Sequence, residues 1–208
     1  MYIVGIDASR SRSGGAIVHL VNILSNVDPL QHEISEVHVW AYKSLLDSLV
    51  NEPWLFKHFV PELEGSLFQQ LKWQSITLSN ELKITGCDVL FASDASTLCR
   101  FKPLVVFSQD LLSYEKGVMR LFGIGRKRMR LLSILLLQNL AFRRANGVIF
   151  LTQYAGKLIQ ESCGKLKNTT YIPHGIEEEF KENKTLCNWP DNLNEPIRSI
   201  YVSPIMAF

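Results

Sequence analysis

The stretch that decides the fold is the first one, MYIVGIDASRSRSGGAIVHLVNIL, residues 1–24. Tyr2 to Asp7 is a continuous apolar run ending in an acid, as a strand buried on both faces would be. Ala16, Ile17, Leu20, Val21, Ile23 and Leu24 then recur at helical spacing until Asp28-Pro29 stops the helix. Between strand and helix lie serines, arginines and the pair Gly14-Gly15. A glycine inside a helix costs roughly 1 kcal/mol relative to alanine, so the pair needs a reason. One reason is an anion such as phosphate, which free amides and the helix dipole favour at a helix start. The other is close packing. Neither GxGxxG nor GxxxxGK[ST] is present, so the residues alone leave both open.

Working outward, the same alternation continues. Val37 to Ala41 reads as a strand, Tyr42 to Val50 as a short helix, and Trp54 to Val60 as strand or loop between Pro53 and Pro61. Leu63 to about Leu82 carries Leu67, Leu71, Ile76 and Leu78 among polar residues and predicts one amphipathic helix. Val89 to Ala92 and Leu104 to Phe107 are buried strands. A helical region from about Tyr114 to Ala145 breaks near Gly123-Ile124-Gly125, and its segment Leu131 to Phe142 reads as a buried helix. Val148 to Leu151 is a strand, Thr152 caps a helix that stops at Gly164, and Thr169 to Ile172 is the next strand. Strands alternating with helices predict an α/β fold, a doubly wound, mostly parallel sheet. Ligands on such sheets bind beyond the carboxyl ends of the strands. The loops Ala8 to Gly15, Ser108 to Ser113 and Pro173 to Ile176 should gather there.

Composition narrows the function classes. With 47% apolar and 20% charged residues, the 208-residue chain can build a core and is not disordered. A net charge of +2 gives no argument for nucleic acid. Cys87, Cys99, Cys163 and Cys187 are far apart with no CxxC, as reduced thiols of a cytoplasmic protein would be, and no metal site is expected. Met1 to Gly5 already reads as a core strand, so no signal peptide is expected, and Leu131 to Phe142 is too short to span a bilayer, which needs about 20 residues.

Three further constellations are candidates for chemistry. Ser108-Gln109-Asp110 closes a buried strand; Asp110 is a candidate base or simply a cap, and no histidine or serine stands at a triad spacing. Arg126, Lys127, Arg128 and Arg130 precede the apolar helix, either as a solvated face or as a rim for anionic lipid or a phosphorylated acceptor. His174, between Pro173 and Gly175, reads as a structural hydrogen bonder at a tight turn. Beyond it, Glu177 to Pro196 is polar and aperiodic, a linker, and Ile197 to Val202 begins a strand with nothing to pair it before Phe208, the mark of a truncated second domain.

Four ordered segments carry a resemblance. Ser108-Gln109-Asp110-Leu111-Leu112-Ser113-Tyr114-Glu115 resembles the segment SQNMLPFE, and Phe142 to Thr152 (FRRANGVIFLT) resembles FRRADGVIFLT. Ile172-Pro173-His174-Gly175-Ile176 is similar to IPHGV, and Ile200-Tyr201-Val202-Ser203 to the end of LLYVS. These belong to family 4 (group 1) glycosyltransferases of one bacterial branch that makes cell-surface polysaccharides. The resemblance implies the N-terminal, acceptor-side half of a GT-B fold: residues 1–176 a Rossmann-like domain, 177–196 a linker, 197–208 the first strand of the donor-binding domain.

It also implies an activity. Such enzymes transfer a sugar from a nucleotide-sugar, usually with retention, to a polysaccharide, lipopolysaccharide or lipid-linked acceptor, with no cofactor and no nucleic acid. Gly14 and Gly15 would lie near the donor diphosphate, and Gln109 and Asp110 would face the reacting sugar as catalytic residues. Arg126, Lys127, Arg128 and Arg130 would contact acceptor or membrane at its inner face. Gln109 stands where many relatives carry histidine, and Asp110 where the nearest pattern has asparagine. The donor-binding Lys/Arg and the E-x₇-E pattern belong to the second domain, so this chain alone is expected to be inactive. The rival is a non-catalytic carbohydrate- or partner-binding α/β module; the missing GxGxxG disfavours an oxidoreductase.

Overall fold

The computed structural model describes residues 1–12 and 14–175. The linker, the strand from Ile197, Cys187, the whole fourth resembling segment and Ile176 at the end of the third all lie outside the described residues. Seven parallel strands alternate with helices: β1 (Tyr2–Asp7), α1 (Gly15–Asn26), β2 (Ile34–Ala41), α2 (Lys43–Ser48), β3 (Leu55–Phe59), α3 (Leu67–Lys72), α4 (Leu78–Ile84), β4 (Val89–Ala92), β5 (Leu104–Ser108), α5 (Val118–Leu121), α6 (Arg126–Arg144), β6 (Gly147–Phe150), α7 (Gln153–Cys163) and β7 (Thr169–Tyr171). The strand order is β3-β2-β1-β4-β5-β6-β7. Chain order therefore reverses between β1 and β4, where crossovers leave to opposite sides and open a crevice. The doubly wound α/β expectation is met.

Two cores confirm the winding, one on each face. Ile6, Val37, Val39, Ala41 and Leu55 pack with Leu20 and Leu24 of α1 and Leu45 and Leu46 of α2. On the other face Trp40, Leu90, Val106, Val148 and Phe150 pack with Trp73, Leu78, Leu82, Phe142, Leu158 and Ile159 from the region of α3–α4, α6 and α7. Gly5 belongs to this second core, because a Cβ there would collide with Leu82. Element ends follow local chemistry. Asp28 Oδ1 accepts the Leu30 N–H at 3.2 Å and starts a 3-10 turn at Pro29. Thr152 Oγ1 accepts the Ala155 N–H at 3.1 Å, and Gly164, at φ +87°, ends α7.

Three expectations change. Trp54 to Val60 resolves into β3, paired parallel with β2. The helix over residues 63–82 begins later, at Leu67, behind a reciprocal Ser66–Gln69 capping box, and a π-helical stretch Trp73–Thr77 joins α3 to α4. Its buried face is also different: Leu67 and Ile76 are 60% and 57% exposed, while Gln70 and Gln74 are buried. Burial suits these glutamines because the amide of Gln70 donates to Leu63 O and Gly65 O, at 3.2 and 2.9 Å, and Gln74 meets a carboxylate. Finally, α6 is only half-buried. Leu131, Gln138, Ala141 and Phe142 face the core, but Leu136 and Leu140 are 63% and 52% exposed.

Candidate functional site

The crevice at the strand reversal is built on Asp7, the last residue of β1, whose side chain turns inward. Its Oδ2 accepts from Gln74 Nε2 at 2.7 Å and Thr97 Oγ1 at 2.9 Å, and its Oδ1 accepts the Ser9 N–H at 3.1 Å. Ser93 Oγ donates to the Asp7 carbonyl at 3.0 Å and lies 3.0 Å from Ser11 Oγ. Gln74 Oε1 accepts the Leu98 N–H at 3.1 Å. A buried carboxylate persists only when donors surround it, and here they come from three separate segments. Asp7 thereby ties the loops after β1 and β4 to the π-helical stretch. It is scaffold, turned away from solvent.

The outer part of the β1 loop is pinned by Arg12. Its Nε donates to Tyr42 Oη, its Nη2 to Leu63 O at 3.1 Å, and its guanidinium sits 4.6 Å from the centre of the Tyr42 ring. These residues, with Ser44, Glu64 and Gly65, line a cavity of about 250 Å³. Beside the loop, burial holds the Asp94 carboxyl above the ordinary carboxylate range, against hydrogen bonds from Ser96 and the charge of Arg10. Arg10 Nε is buried with no hydrogen-bond partner.

Gly14 and Gly15 end this loop. Gly14 has φ +67° and ψ −147°, a backbone region essentially closed to side-chain-bearing residues. Gly15 opens α1, and a Cβ on either glycine would meet nothing within 4 Å. Close packing against the protein is therefore not the reason for the pair. No side chain caps α1 and its first turn carries no acid, so the helix start keeps its partial positive charge.

Gln109 is half-buried and Asp110 exposed, directly after β5. Asp110 Oδ1 accepts the Leu112 N–H at 2.9 Å, which makes it the cap of the following turn. The sequence reading missed His19. It lies one helical turn beyond Gly15, 5.1 Å from the Phe107 ring in a stacked arrangement, with its Nδ1 3.2 Å from Nδ1 of His174. Burial, and then the charge of His174, hold His19 below the ordinary histidine value. The elements after β1, β5 and β7 thus meet at one edge, as expected. The only available signal for His19 was its four-residue offset from Gly15.

With this geometry in place, the comparisons with known proteins bear on the fold. No family model and no curated protein matches the sequence. Among solved structures, sucrose-phosphate synthase from Thermosynechococcus elongatus is similar with a TM-score of 0.61 and 13% identity, over 86% of this chain and 49% of that one. HepE from Anabaena, in complex with UDP-glucose, is similar with a TM-score of 0.51 and 18% identity, over 86% of this chain and 45% of that one. Its complex with UDP and glucose gives 0.50 and 19%, over 86% and 46%. The chain spans about half the length of the structures it matches. What is shared is the fold: a Rossmann-like parallel sheet of the kind found in GT-B glycosyltransferases.

The basic cluster occupies the first turns of α6, the helix that follows β5 and the Gln109 loop. Arg126, Lys127 and Arg130 are exposed and Arg128 is half-buried. No side chain caps this helix and its first turn has no acid. Each cation at a helix start opposes the macrodipole by roughly 0.3–1 kcal/mol, so the cluster does not serve helix stability. Leu121, Ile124 and Met129 beside it are largely exposed. No helix among the described residues is long and apolar enough to cross a membrane.

Proposed function

We propose that this chain is the acceptor-side domain of a family 4 GT-B glycosyltransferase. The whole enzyme transfers a sugar from a nucleotide-sugar, with retention, to a cell-surface polysaccharide, lipopolysaccharide or lipid-linked acceptor. The observation that carries the reading is the uncapped start of α1, with open space over both Gly14 and Gly15. Backbone amides there can approach a diphosphate and stabilise the negative charge that grows on it as the sugar leaves. Support for a nucleotide-sugar comes from HepE, a structural neighbour solved with UDP-glucose. Gln109 and Asp110 line the same edge and face the reacting sugar. Residues 177–196 link to a donor-binding domain beginning near 197, and without that domain the chain is inactive, because transfer requires donor and acceptor held together. The test compares chain 1–208 with the full product of its natural gene, using a panel of nucleotide-sugars and product mass as readout. Transfer by the full product and none by 1–208 is expected. Turnover by 1–208 alone refutes the division of labour, and no transfer by either, with any donor, refutes the enzyme reading in favour of a binding module.

The cationic start of α6 supports a peripheral membrane contact at the inner face. Each cation near an anionic surface contributes about 1 kcal/mol, falling off over a Debye length. Exposed Leu121, Ile124 and Met129 supply an apolar complement. Co-sedimentation with anionic but not neutral vesicles is expected, weakened by salt and by replacing Arg126, Lys127, Arg128 and Arg130 with Gln. Equal binding to both vesicle types overturns it.

A further inference from the structure

A second cavity lies between the segment that joins β4 to β5 and the C-terminal end of α6. It measures about 530 Å³, within the size range of small-molecule sites, and is walled by Leu98, Phe101, Leu104 and Leu140. Its wall Leu104 begins β5, about 13 Å along the strand from the Gln109 loop, while its wall Leu98 donates its N–H to Gln74 Oε1 beside the Asp7 network. The cavity's charged lining is cationic: Arg100, Lys102 and Arg144, with Ser75 and Cys99 beside them and no carboxylate among the lining residues. Among the described residues none of these three cations forms an ion pair.

Arg144 is the anchor. Its Nη2 donates to Thr97 O at 2.9 Å and its Nε to Leu140 O at 3.2 Å, so carbonyl groups rather than an acid hold the guanidinium in place. Burial and the like charge of Arg100 weaken its hold on its proton. Like charges gathered over an apolar floor without a counter-ion are unfavourable in the empty protein, and an anion relieves them. A planar guanidinium fixed in this way can present its remaining N–H groups to a phosphate.

We propose that this cavity binds a phosphate monoester attached to a compact apolar group, the phosphate on Arg100, Lys102 and Arg144 and the apolar group on Phe101 and the leucines. The cavity is lined by none of Gly14, Gly15, Gln109 and Asp110, and binding in it does not depend on glycosyl transfer. Calorimetric titration of the 208-residue chain tests it with phenyl phosphate and inorganic phosphate, and sedimentation tests it with phosphatidylcholine vesicles containing phosphatidic acid or, at matched surface charge, phosphatidylglycerol. A soluble ligand predicts saturable phenyl phosphate binding, tighter than inorganic phosphate, and at least tenfold weaker in Arg100→Gln and in Arg144→Gln. A lipid source predicts preference for phosphatidic acid that the same variants abolish and that Lys167→Gln, an exposed cation outside the cavity lining, leaves intact. Ser75→Phe, which fills the cavity and keeps every charge, weakens whichever ligand binds, and thermal unfolding checks that each variant is folded. The proposal is overturned if neither phenyl phosphate nor phosphatidic acid shows a preference that depends on these arginines.

Discussion

Replacing Gly14 and Gly15 separately by alanine should shift stability in opposite directions. At Gly14 the backbone has φ +67° and ψ −147°, so an alanine must bear strain of about 1–3 kcal/mol or force the loop to move. At Gly15 the residue is already helical, and a Cβ meets nothing within 4 Å. Alanine there restricts the unfolded chain without native strain, a gain of about 0.4–1 kcal/mol. For a chain of this size each kcal/mol moves Tm by roughly 2–4 °C. Thermal unfolding followed by circular dichroism should therefore give a Gly14→Ala transition about 2–12 °C below the parent and a Gly15→Ala transition about 1–4 °C above it. The second result carries the functional argument. A glycine whose replacement stabilises the fold is held there by something outside the fold, which under the proposed function is the approach of a phosphate to the backbone. In the complete enzyme, Gly15→Val should consequently impair donor use while leaving the domain folded. A destabilising Gly15→Ala refutes the reasoning, because it would mean that the protein itself needs the glycine. Unchanged kinetics in Gly15→Val would leave the stabilisation true and the phosphate role wrong.

Asp7→Ala deprives the Gln74 amide, the Thr97 hydroxyl and the Ser9 N–H of one acceptor. At about 1–3 kcal/mol per unpaired buried group, urea unfolding should show a loss of about 3 kcal/mol or more, and a loss under about 1 kcal/mol would contradict the network's role. His58 lies with its Nε2 2.8 Å from Nδ1 of His38, whose Nε2 is 3.2 Å from Glu36 Oε2. Burial first and then the charge of His38 hold His58 below its usual 6.5, so the folded state takes up its proton at lower pH than the unfolded chain does. The stability this contributes is present above about pH 6.5 and is lost as pH falls through the folded value. Between about pH 7.5 and 5.5, the urea midpoint of the parent should fall more steeply than that of His58→Phe; equal slopes would show that His58 does not supply this dependence. Some slope remains in the variant because His19 is lowered in the same direction.

What the sequence determined by itself was the part of the structure whose partners lie within a turn or two of each other. The alternation of strands and helices, the stop at Asp28-Pro29, the Thr152 cap and the break before α6 are all decided by side chains acting on their own backbone. The carboxyl-edge gathering of polar loops followed from the parallel sheet. Residue patterns also raised the question of Gly14-Gly15 but left packing and ligand approach unresolved. Only the tertiary structure removed the packing alternative, by leaving open space where a packing glycine such as Gly5 has a neighbour. It also decided which face of α3 and α4 is buried. Periodicity favoured Leu67 and Ile76, but Gln74 takes the inside because its partner, Asp7, is 67 residues away on β1. His19 meets His174 across 155 residues, from an apolar helix pattern that marked it only by its offset from Gly15. Local patterns record what a residue does to its neighbours in the chain. Which polar group can afford burial depends on a partner that only the folded sheet brings within 3 Å.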